Sequence, residues 1–348
     1  MRRLILPAFV AWGSIALMAQ DLPKGFPKPR VPTDNPLTPA KVELGRYLFY
    51  DTRLSVNGKS SCATCHKQEL AFTDGLPRAI GATGEKHPRG AMSLVNVAYN
   101  AVLTWSNPGI TSLEQQALIP MFRENPLELG LRAGDGFVPM LRSDTKYREL
   151  FGDAFPADPD PFTIVNVTKA IACFERSIVS ARSPYDRYHY GGDDSAVSDS
   201  AKRGEILFFS QQLSCFRCHG GLNCSGNTVS ERHPTTQPEF HNNGLYGIPG
   251  APDRGIFEFT KDPQDAGKFK APTLRNIAVS APYMHDGSIA TLDGVISHYA
   301  SAGHSNSNRD PLIAGFTLSA QDRIDLIEFL KSLTDQPVLH DRRFANPW

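Results

Sequence analysis

The chain has 348 residues, a length at which two domains of about 150 residues each are the expected organisation. Its 36 Lys and Arg residues balance 36 Asp and Glu residues. A zero net charge argues against nucleic acid as a partner, because phosphate binding needs a basic excess. Charged residues make up 21% and apolar residues 41%, which excludes a disordered or multi-span membrane protein.

The first 20 residues have the pattern of a secretory signal peptide. Arg2 and Arg3 form a basic start, residues 4–19 are almost wholly apolar, and polar, Pro-rich sequence begins at Asp21. The apolar run is short for a membrane span, and no basic cluster follows it. We expect residues 1–20 to direct export to a bacterial periplasm, with an N-terminal anchor as the alternative, and residues 21–37 to form an extended lead-in.

Two stretches of the sequence resemble each other. In each, a short amphipathic segment containing a glycine, Gly45 or Gly204, ends in apolar and aromatic residues ahead of a Cys-x-x-Cys-His motif. The first cysteines of the two motifs, Cys62 and Cys215, are 153 residues apart. This spacing indicates duplication of one domain type. We predict an N-terminal domain over residues 38–190 and a C-terminal domain over residues 191–348.

Helical periodicity dominates the rest of the chain. The spacing of apolar residues predicts helices over residues 112–122, 163–181, 291–301 and 319–333, and no segment shows the alternation of a strand. In the last helix, Ser319 is the expected N-cap. Ile324, Ile327 and Leu330 are expected to face the core. The predicted fold class is all-α, with long loops.

Both duplicated motifs have the frame for covalent attachment of a c-type haem. Two thiols one helical turn apart can form thioethers to the vinyl groups of one porphyrin, and the adjacent histidine can ligate the iron. The geometry is poor for zinc, and no strand precedes the motifs as in thioredoxin-like proteins. The predicted attachment residues are Cys62, Cys65, Cys215 and Cys218, with His66 and His219 as proximal ligands.

The residues alone do not decide which side chains are the sixth iron ligands, or whether the two remaining cysteines form a disulfide. After the first motif, the nearest candidate ligand is His87. Cys173 and Cys224 are either a buried thiol and a loop thiol or, in an oxidising compartment, a disulfide. The candidate ligands after the second motif are Met284, His285, His298 and Tyr299.

Several further segments resemble the bacterial dihaem cytochrome c peroxidase and MauG superfamily in order and spacing. The resemblance extends from about residue 38 to residue 335 and, besides both haem motifs, is carried by residues 71–75 (AFTDG), 96–100 (NVAYN), 113–117 (LEQQA), 271–276 (APTLRN) and 281–287 (APYMHDG). Residues 48–55, 81–84 and 119–130 are similar to the MauG-like enzymes associated with methanobactin operons, MbnH. The resemblance implies two cytochrome-c-like helical domains, each holding one c-type haem.

For the first haem, the resemblance implies an iron that is open to peroxide. In the peroxidases, a histidine sixteen residues beyond the proximal histidine blocks the iron until reduction; this position is Ala82 here, and His87 is the alternative blocking ligand. The glutamate that assists peroxide cleavage corresponds to Glu128, because a carboxylate can carry a proton from the near to the far oxygen. The tryptophan between the haems, a relay for electrons or holes, corresponds to Trp105.

For the second haem, the resemblance implies a tyrosine ligand. The peroxidases have a methionine fourteen residues after the histidine of the His-Asp-Gly motif, MauG-like members have tyrosine, and this chain has Tyr299. A phenolate is a harder, anionic donor than a thioether and favours ferric and higher oxidation states. Met284 is then a packing residue. The family also holds calcium, here through the carbonyls of Ser280 and Pro282, although Gly90 stands where the family has a ligating asparagine.

The implied activity is that of a periplasmic MauG-like dihaem enzyme. It would use hydrogen peroxide to form a high-valent dihaem state that oxidises a partner protein, with conversion of a tryptophan to kynurenine on a copper-binding protein as the candidate reaction. The first alternative is a cytochrome c peroxidase that takes electrons from small cytochromes; Ala82 and Tyr299 argue against it. The second is a non-catalytic electron-transfer dihaem cytochrome, which would need two strong ligands on each iron.

Overall fold

The computed structural model describes residues 22–23, 26–132, 134, 136–247 and 251–348. The predicted signal peptide, residues 1–20, lies outside the described residues. Within the ranges described, no helix combines the length and the apolar character that crossing a membrane requires.

Thirteen α-helices and one two-stranded sheet, with four short 3-10 helices, form the regular structure of the described residues. The antiparallel strands β1 (Phe240–His241) and β2 (Phe269–Lys270) pair in register. The prediction of an all-α fold with long loops is confirmed. The helices are α1 (Pro39–Tyr50), α2 (Cys62–Cys65), α3 (Leu113–Phe122), α4 (Phe137–Ser143), α5 (Thr145–Ala154), α6 (Ile164–Ser177), α7 (Pro184–His189), α8 (Asp199–Phe208), α9 (Phe216–His219), α10 (Phe257–Thr260), α11 (Leu292–Ala300), α12 (Ala320–Ser332) and α13 (Gln336–His340).

The four predicted helices are present as α3, α6, α11 and α12. Helix α6 ends at Ser177 rather than at residue 181, because Ile178 leaves helical backbone geometry. At the start of α12, Ser319 is the N-cap as predicted, and Ser319 and Asp322 accept hydrogen bonds from each other's backbone N–H groups. The prediction that Ile324 faces the core is wrong, since its residue surface is 53% exposed. The buried stripe of α12 instead runs through Leu326, Phe329 and Leu330, and Ile324 lies outside this stripe.

Two hydrophobic cores each border one of the Cys-x-x-Cys-His motifs. The first core includes residues of α1, α3, α4, α5 and α6, and Cys62 packs against it. The second includes residues of α8, α11 and α12, and Cys215 packs against it. Burial of these apolar faces is the main source of stability for helices as short as these. Each haem motif therefore follows a helix that is anchored in its own core.

Both cores contain a close helix crossing at a glycine. In α1, Gly45 lies against the backbone of α6, and a Cβ atom on Gly45 would clash with the carbonyl oxygen of Ala170. In α8, Gly204 lies against α12, where a Cβ atom would clash with the carbonyl oxygen of Asp325. The two glycines that marked the duplicated segments thus make equivalent crossings. Each crossing fixes the helix that leads into a haem motif.

The C-terminal segment packs back onto the first half of the chain. Val338 and Phe344 are buried in a cluster with Phe49 and Phe174. The carboxylate of Asp335 accepts hydrogen bonds from the backbone N–H groups of residues 181 and 182, at 3.0 and 2.9 Å. These contacts tie the two halves together.

The variant Gly204→Ala should lower the stability of the protein. The added methyl group forces α8 away from α12, at a cost of about 1–3 kcal/mol for overpacking. Thermal unfolding followed by circular dichroism should show a lower midpoint. The matched control is Gly152→Ala in α5, where a Cβ atom has no atom within 4 Å. Its midpoint should be unchanged or higher, because alanine has the better helix propensity. Equal midpoints for the two variants would contradict the account of the crossing.

Candidate active site

The first cavity, of about 920 Å³, lies beside α2 and is lined by Cys62, Cys65 and His66. The imidazole of His66 donates a hydrogen bond from Nδ1 to the carbonyl oxygen of Phe72, at 2.8 Å. Because a carbonyl can only accept, Nδ1 carries the proton and Nε2 is left with a free lone pair. Burial lowers the pKa of His66, which favours the neutral imidazole that a metal requires.

The second cavity, of about 210 Å³, repeats this arrangement beside α9 and is lined by Cys215, Cys218 and His219. Here Nδ1 of His219 donates to the carbonyl oxygen of Cys224, at 3.1 Å. Burial lowers the pKa of His219 to about 4. Both histidines are therefore neutral, oriented by a backbone carbonyl, and able to ligate iron through Nε2.

All six cysteines are free. The possibility of a disulfide between Cys173 and Cys224 is wrong for this structure. Cys173 is buried in α6, where its thiol lies 3.5 Å from the amide oxygen of Asn35, whereas Cys224 is buried in the second hydrophobic core. None of the four motif cysteines is in a disulfide, so each thiol is available for a thioether. Burial raises the pKa of Cys65 and of Cys215 to about 11.

Three residues predicted for the first haem lie on the same wall of the first cavity. The backbone N–H of Ala82 donates to the carbonyl oxygen of Glu128, at 2.7 Å. The buried imidazole of His87 donates from Nε2 to the carbonyl oxygen of Leu127 at 3.2 Å, and its Nδ1 lies 4.0 Å from the carboxylate of Glu128. Ala82 brings no ligand atom from its side chain. The ring nitrogens of His87 face Leu127 and Glu128.

The carboxyl group of Glu128 is electrostatically unusual. Burial raises its pKa, while the nearby His87 and Arg123 act in the opposite direction. A carboxyl group with a raised pKa at the edge of a cavity is suited to exchanging a proton with a bound molecule.

Trp105 lies where the cavities meet. It lines the first cavity, the second cavity and a third, smaller one of about 80 Å³. Its indole N–H donates to the carbonyl oxygen of Gly90 at 3.1 Å, and its own carbonyl accepts from the backbone N–H of Lys270 at 2.9 Å. These two bonds hold the indole in a fixed position.

Two of the candidate ligands for the second haem share one amide group. The side-chain nitrogen of Asn243 lies 3.4 Å from the phenol oxygen of Tyr299 and 3.4 Å from the sulfur of Met284, and both residues line the second cavity. Burial raises the pKa of Tyr299 to about 12, so the phenol must release its proton to become a ligand. His298 instead donates from Nε2 to the carbonyl oxygen of Asn243, at 2.9 Å. His285 stacks on Phe269.

The third cavity contains the residues predicted for calcium. Ser280, Pro282 and Gly90 line it, together with Asp74. One carboxylate oxygen of Asp74 accepts from the backbone N–H of residue 76, and the other is buried without a hydrogen-bond partner. An unpartnered carboxylate oxygen beside backbone carbonyls is chemically suited to a hard cation.

Sequence reasoning missed several residues that line these cavities. Gln116 and Pro120 are on α3, within or beside segments that carry the family resemblance, so their place could have been found from the sequence. Asp74 is likewise within residues 71–75 and Lys270 directly precedes residues 271–276, but the sequence gave no signal that these two side chains and that of Glu175 are buried, because burial follows from tertiary packing. The residues concerned are Asp74, Gln116, Pro120, Glu175 and Lys270. Asn243, whose amide nitrogen lies 3.4 Å from both Tyr299 and Met284, was missed as well.

Comparison with known proteins agrees with this geometry. The profile described as "Di-haem cytochrome c peroxidase" matches residues 39–195. The methylamine utilization protein MauG of Methylorubrum extorquens is 35% identical over 90% of this chain and 83% of its own. A cytochrome-c peroxidase of Denitromonas iodatirespirans is 34% identical over 91% of this chain and 87% of its own. This chain belongs to the dihaem cytochrome c peroxidase and MauG family.

A solved structure gives a finer comparison within this family. A MauG-like protein associated with microbial copper homeostasis is 42% identical, with a TM-score of 0.90 over 94% of this chain and 99% of that one. The expected resemblance to MauG-like dihaem proteins is thereby confirmed. The chain is a haem-dependent peroxidase-type oxidoreductase with two c-type haems. Hydrogen peroxide, and a partner protein or cytochrome that donates electrons, are the reactants that this family implies.

The double variant Cys62→Ser/Cys65→Ser should retain one covalent haem of the two. Serine cannot form the thioether, whereas Cys215 and Cys218 are untouched. The haem content of the exported protein can be measured by the pyridine haemochrome assay after acid-acetone extraction. The control Cys173→Ala removes a buried thiol outside both motifs and should keep two haems. Two haems in the double variant would refute the assignment.

Proposed function

We propose that this enzyme uses hydrogen peroxide to oxidise a partner protein, with the first haem open to peroxide and the second closed by Tyr299. When bound, the haem irons supply the redox chemistry, accepting two oxidising equivalents from peroxide. The proposal rests on one observation, the difference between the residues that line the two cavities. The first has Ala82 and a titratable carboxyl group on its wall, and the second has a buried phenol.

Glu128 is the proposed proton carrier. Its carboxylate accepts the proton of the near oxygen of hydrogen peroxide and returns it to the far oxygen, which then leaves as water. His87, at 4.0 Å, and Arg123 favour the anionic form that can accept this proton, against the effect of burial. The hydrogen bond between the backbones of Ala82 and Glu128 holds the carboxylate segment on the cavity wall.

The variant Glu128→Gln should slow the reaction with peroxide by about 10²–10⁴-fold, because it keeps the shape but cannot carry the proton. In the wild type the carboxylate is the active form, so the rate should rise with pH through the pKa of Glu128. Burial raises this pKa, which places the rise above the ordinary value of 4.5. The rise should be absent in the variant. Stopped-flow absorbance over a pH series measures both effects.

Glu85→Gln is the matched control for this experiment. Glu85 is an exposed neighbour whose carboxylate accepts a hydrogen bond from the backbone N–H of residue 127, at 3.2 Å, and it does not line the first cavity. Its rate and pH profile should stay close to those of the wild type. A Glu128→Gln enzyme with the wild-type rate and pH profile would rule out the proton-carrier role.

Tyr299 is the residue proposed to ligate the iron of the second haem, and Trp105 is the proposed relay between the haems. The phenol oxygen lies in the same cavity as His219, and an anionic oxygen donor favours the oxidised states of iron. The fixed indole of Trp105 borders both haem cavities. If the two haems share the oxidising equivalents, a substrate that is too large to enter the first cavity can be oxidised at the surface of the enzyme.

The variant Tyr299→Met should change the visible spectrum of the second haem and abolish oxidation of the protein partner. A neutral thioether replaces an anionic donor, which disfavours the oxidised second site. Peroxidase turnover with small donors at the first haem should persist. Tyr283→Phe is the control, because Tyr283 lines the same cavity but its hydroxyl donates to the carbonyl oxygen of Ile277. If the spectrum of the second haem is unchanged in Tyr299→Met, Tyr299 is not the ligand and Met284 becomes the candidate.

The proposed partner is a copper-binding protein in the periplasm, and the proposed reaction is conversion of a tryptophan side chain to kynurenine. The apolar N-terminal run supports export, and the similarity to a MauG-like protein associated with microbial copper homeostasis supports the copper connection. Incubation of enzyme and peroxide with a copper-binding protein encoded beside its gene, read by peptide mass spectrometry, tests this assignment. Tryptophan left intact while peroxide is consumed would contradict it.

A cytochrome c peroxidase is the second candidate function. It is favoured by the cytochrome-c peroxidase relative at 34% identity and by the two alternative ligands, since His87 lines the first cavity and Met284 the second. Peroxide reduction that needs prior reduction of one haem and uses small cytochromes as donors would establish this reading.

We also propose that the third cavity binds one calcium ion, through the carbonyl oxygens of Ser280 and Pro282 and the unpartnered carboxylate oxygen of Asp74. The purified protein should contain one equivalent of calcium by plasma mass spectrometry. Chelation with EGTA should remove it and perturb the haem spectra, because the cavity adjoins Trp105. Asp74→Asn should lower the calcium content. A freshly purified protein without calcium would exclude the site.

A further inference from the structure

Lys270 is a buried cation without a protein partner. It lies in β2 and is only 2% exposed. Its side chain makes no hydrogen bond or ion pair with the residues that the structure describes, and burial alone lowers its pKa to about 7. A lysine is seldom buried without an anion, because the charged ammonium is costly to remove from water. Among the described residues, no anionic group therefore balances the positive charge of the Lys270 ammonium.

The position of Lys270 shows where this missing group belongs. Lys270 lines the second cavity, which holds His219, and also the third cavity beside Trp105. Among the described residues that line the second cavity, Lys270 is the sole Lys or Arg, and none is Asp or Glu. The first cavity differs, because its Arg89 is already paired with Asp253 at 2.6 Å. Apart from this ammonium, the polar side chains that line the second cavity are neutral or imidazole groups, among them the amide of Asn243 and the phenols of Tyr283 and Tyr299.

The chemistry of a c-type haem supplies the anion. Thioether attachment to Cys215 and Cys218 fixes the vinyl edge of the porphyrin, and the two propionate carboxylates lie on the opposite edge. We propose that the Lys270 ammonium binds a propionate carboxylate of the second haem, on the side of the cavity that Trp105 borders. A charge-assisted hydrogen bond of this kind satisfies both groups in a largely buried environment.

This pairing would link the haem to the residue proposed as its relay. The backbone N–H of Lys270 donates to the carbonyl oxygen of Trp105, at 2.9 Å. One strand residue therefore holds the tryptophan through its backbone and a haem carboxylate through its side chain. The ammonium also partly neutralises the charge of the propionate, which stabilises the reduced over the oxidised iron and counteracts an anionic Tyr299.

Asp74 is the competing partner. It lines the third cavity with Lys270, and one of its carboxylate oxygens is buried and unpartnered. If the ammonium paired with Asp74, the lysine would belong to the third cavity and would occupy the place proposed for calcium. The two partners make different predictions for haem and for calcium, so one set of variants separates them.

The test compares the holoenzyme with its Lys270→Gln and Lys270→Arg variants. Loss of the cation in Lys270→Gln should lower the reduction equilibrium constant of the second haem on the order of tenfold, as expected for a unit charge about 12 Å away at intermediate dielectric. This fold-change corresponds to 59 mV for a one-electron couple. Spectroelectrochemical titration should show the shift mainly on the second haem, and the propionate bending band in the resonance Raman spectrum should move. Lys270→Arg should restore both.

An unchanged potential and an unchanged propionate band in Lys270→Gln, with two haems attached, would overturn the proposal. So would a change confined to calcium content that Asp74→Asn reproduces. If Lys270→Gln fails to attach the second haem, a crystal structure of the wild-type holoenzyme decides. The Lys270 nitrogen within about 3.2 Å of a propionate oxygen supports the pairing, and its placement on Asp74 instead refutes it.

Discussion

The hydrogen bond from each proximal histidine to a backbone carbonyl is the constraint on which the rest of the site depends. His66 and His219 both donate from Nδ1, to the carbonyl oxygens of Phe72 and Cys224. This bond selects the tautomer in which Nε2 is unprotonated, which is the form of the ring that can ligate iron. Both carbonyls belong to residues that closely follow the motif, six residues after His66 and five after His219.

The two cavities are similar on the side of the proximal histidine. We therefore ascribe the difference between the haem sites to the residues on the other side of each cavity. In the first cavity, the wall carries Ala82 beside the carboxyl group of Glu128, an arrangement suited to a small molecule that must exchange a proton. In the second, the wall carries the phenol of Tyr299, an arrangement suited to holding an oxidised iron. Trp105 borders both cavities. The proposed function follows from this asymmetry between the two cavities.

Features that depend on short stretches of chain were predictable from the sequence. The two haem motifs and the capping box at Ser319 are each set by a few neighbouring residues. Features set by distant packing were not. The exposure of Ile324, the separation of Cys173 from Cys224 and the burial of Lys270 each depend on which helix or strand lies opposite. The roles of Glu128 and Tyr299 came from family resemblance, and the structure adds their surroundings.

The resting spin states of the two haems test the central claim most directly. Electron paramagnetic resonance of the as-isolated diferric protein, quantified against a standard, distinguishes an iron with an open face from one with two strong ligands. The account predicts one high-spin haem, with only His66 as a strong protein ligand, and one low-spin haem, ligated by His219 and Tyr299. Two low-spin haems that react with peroxide only after half-reduction would contradict it.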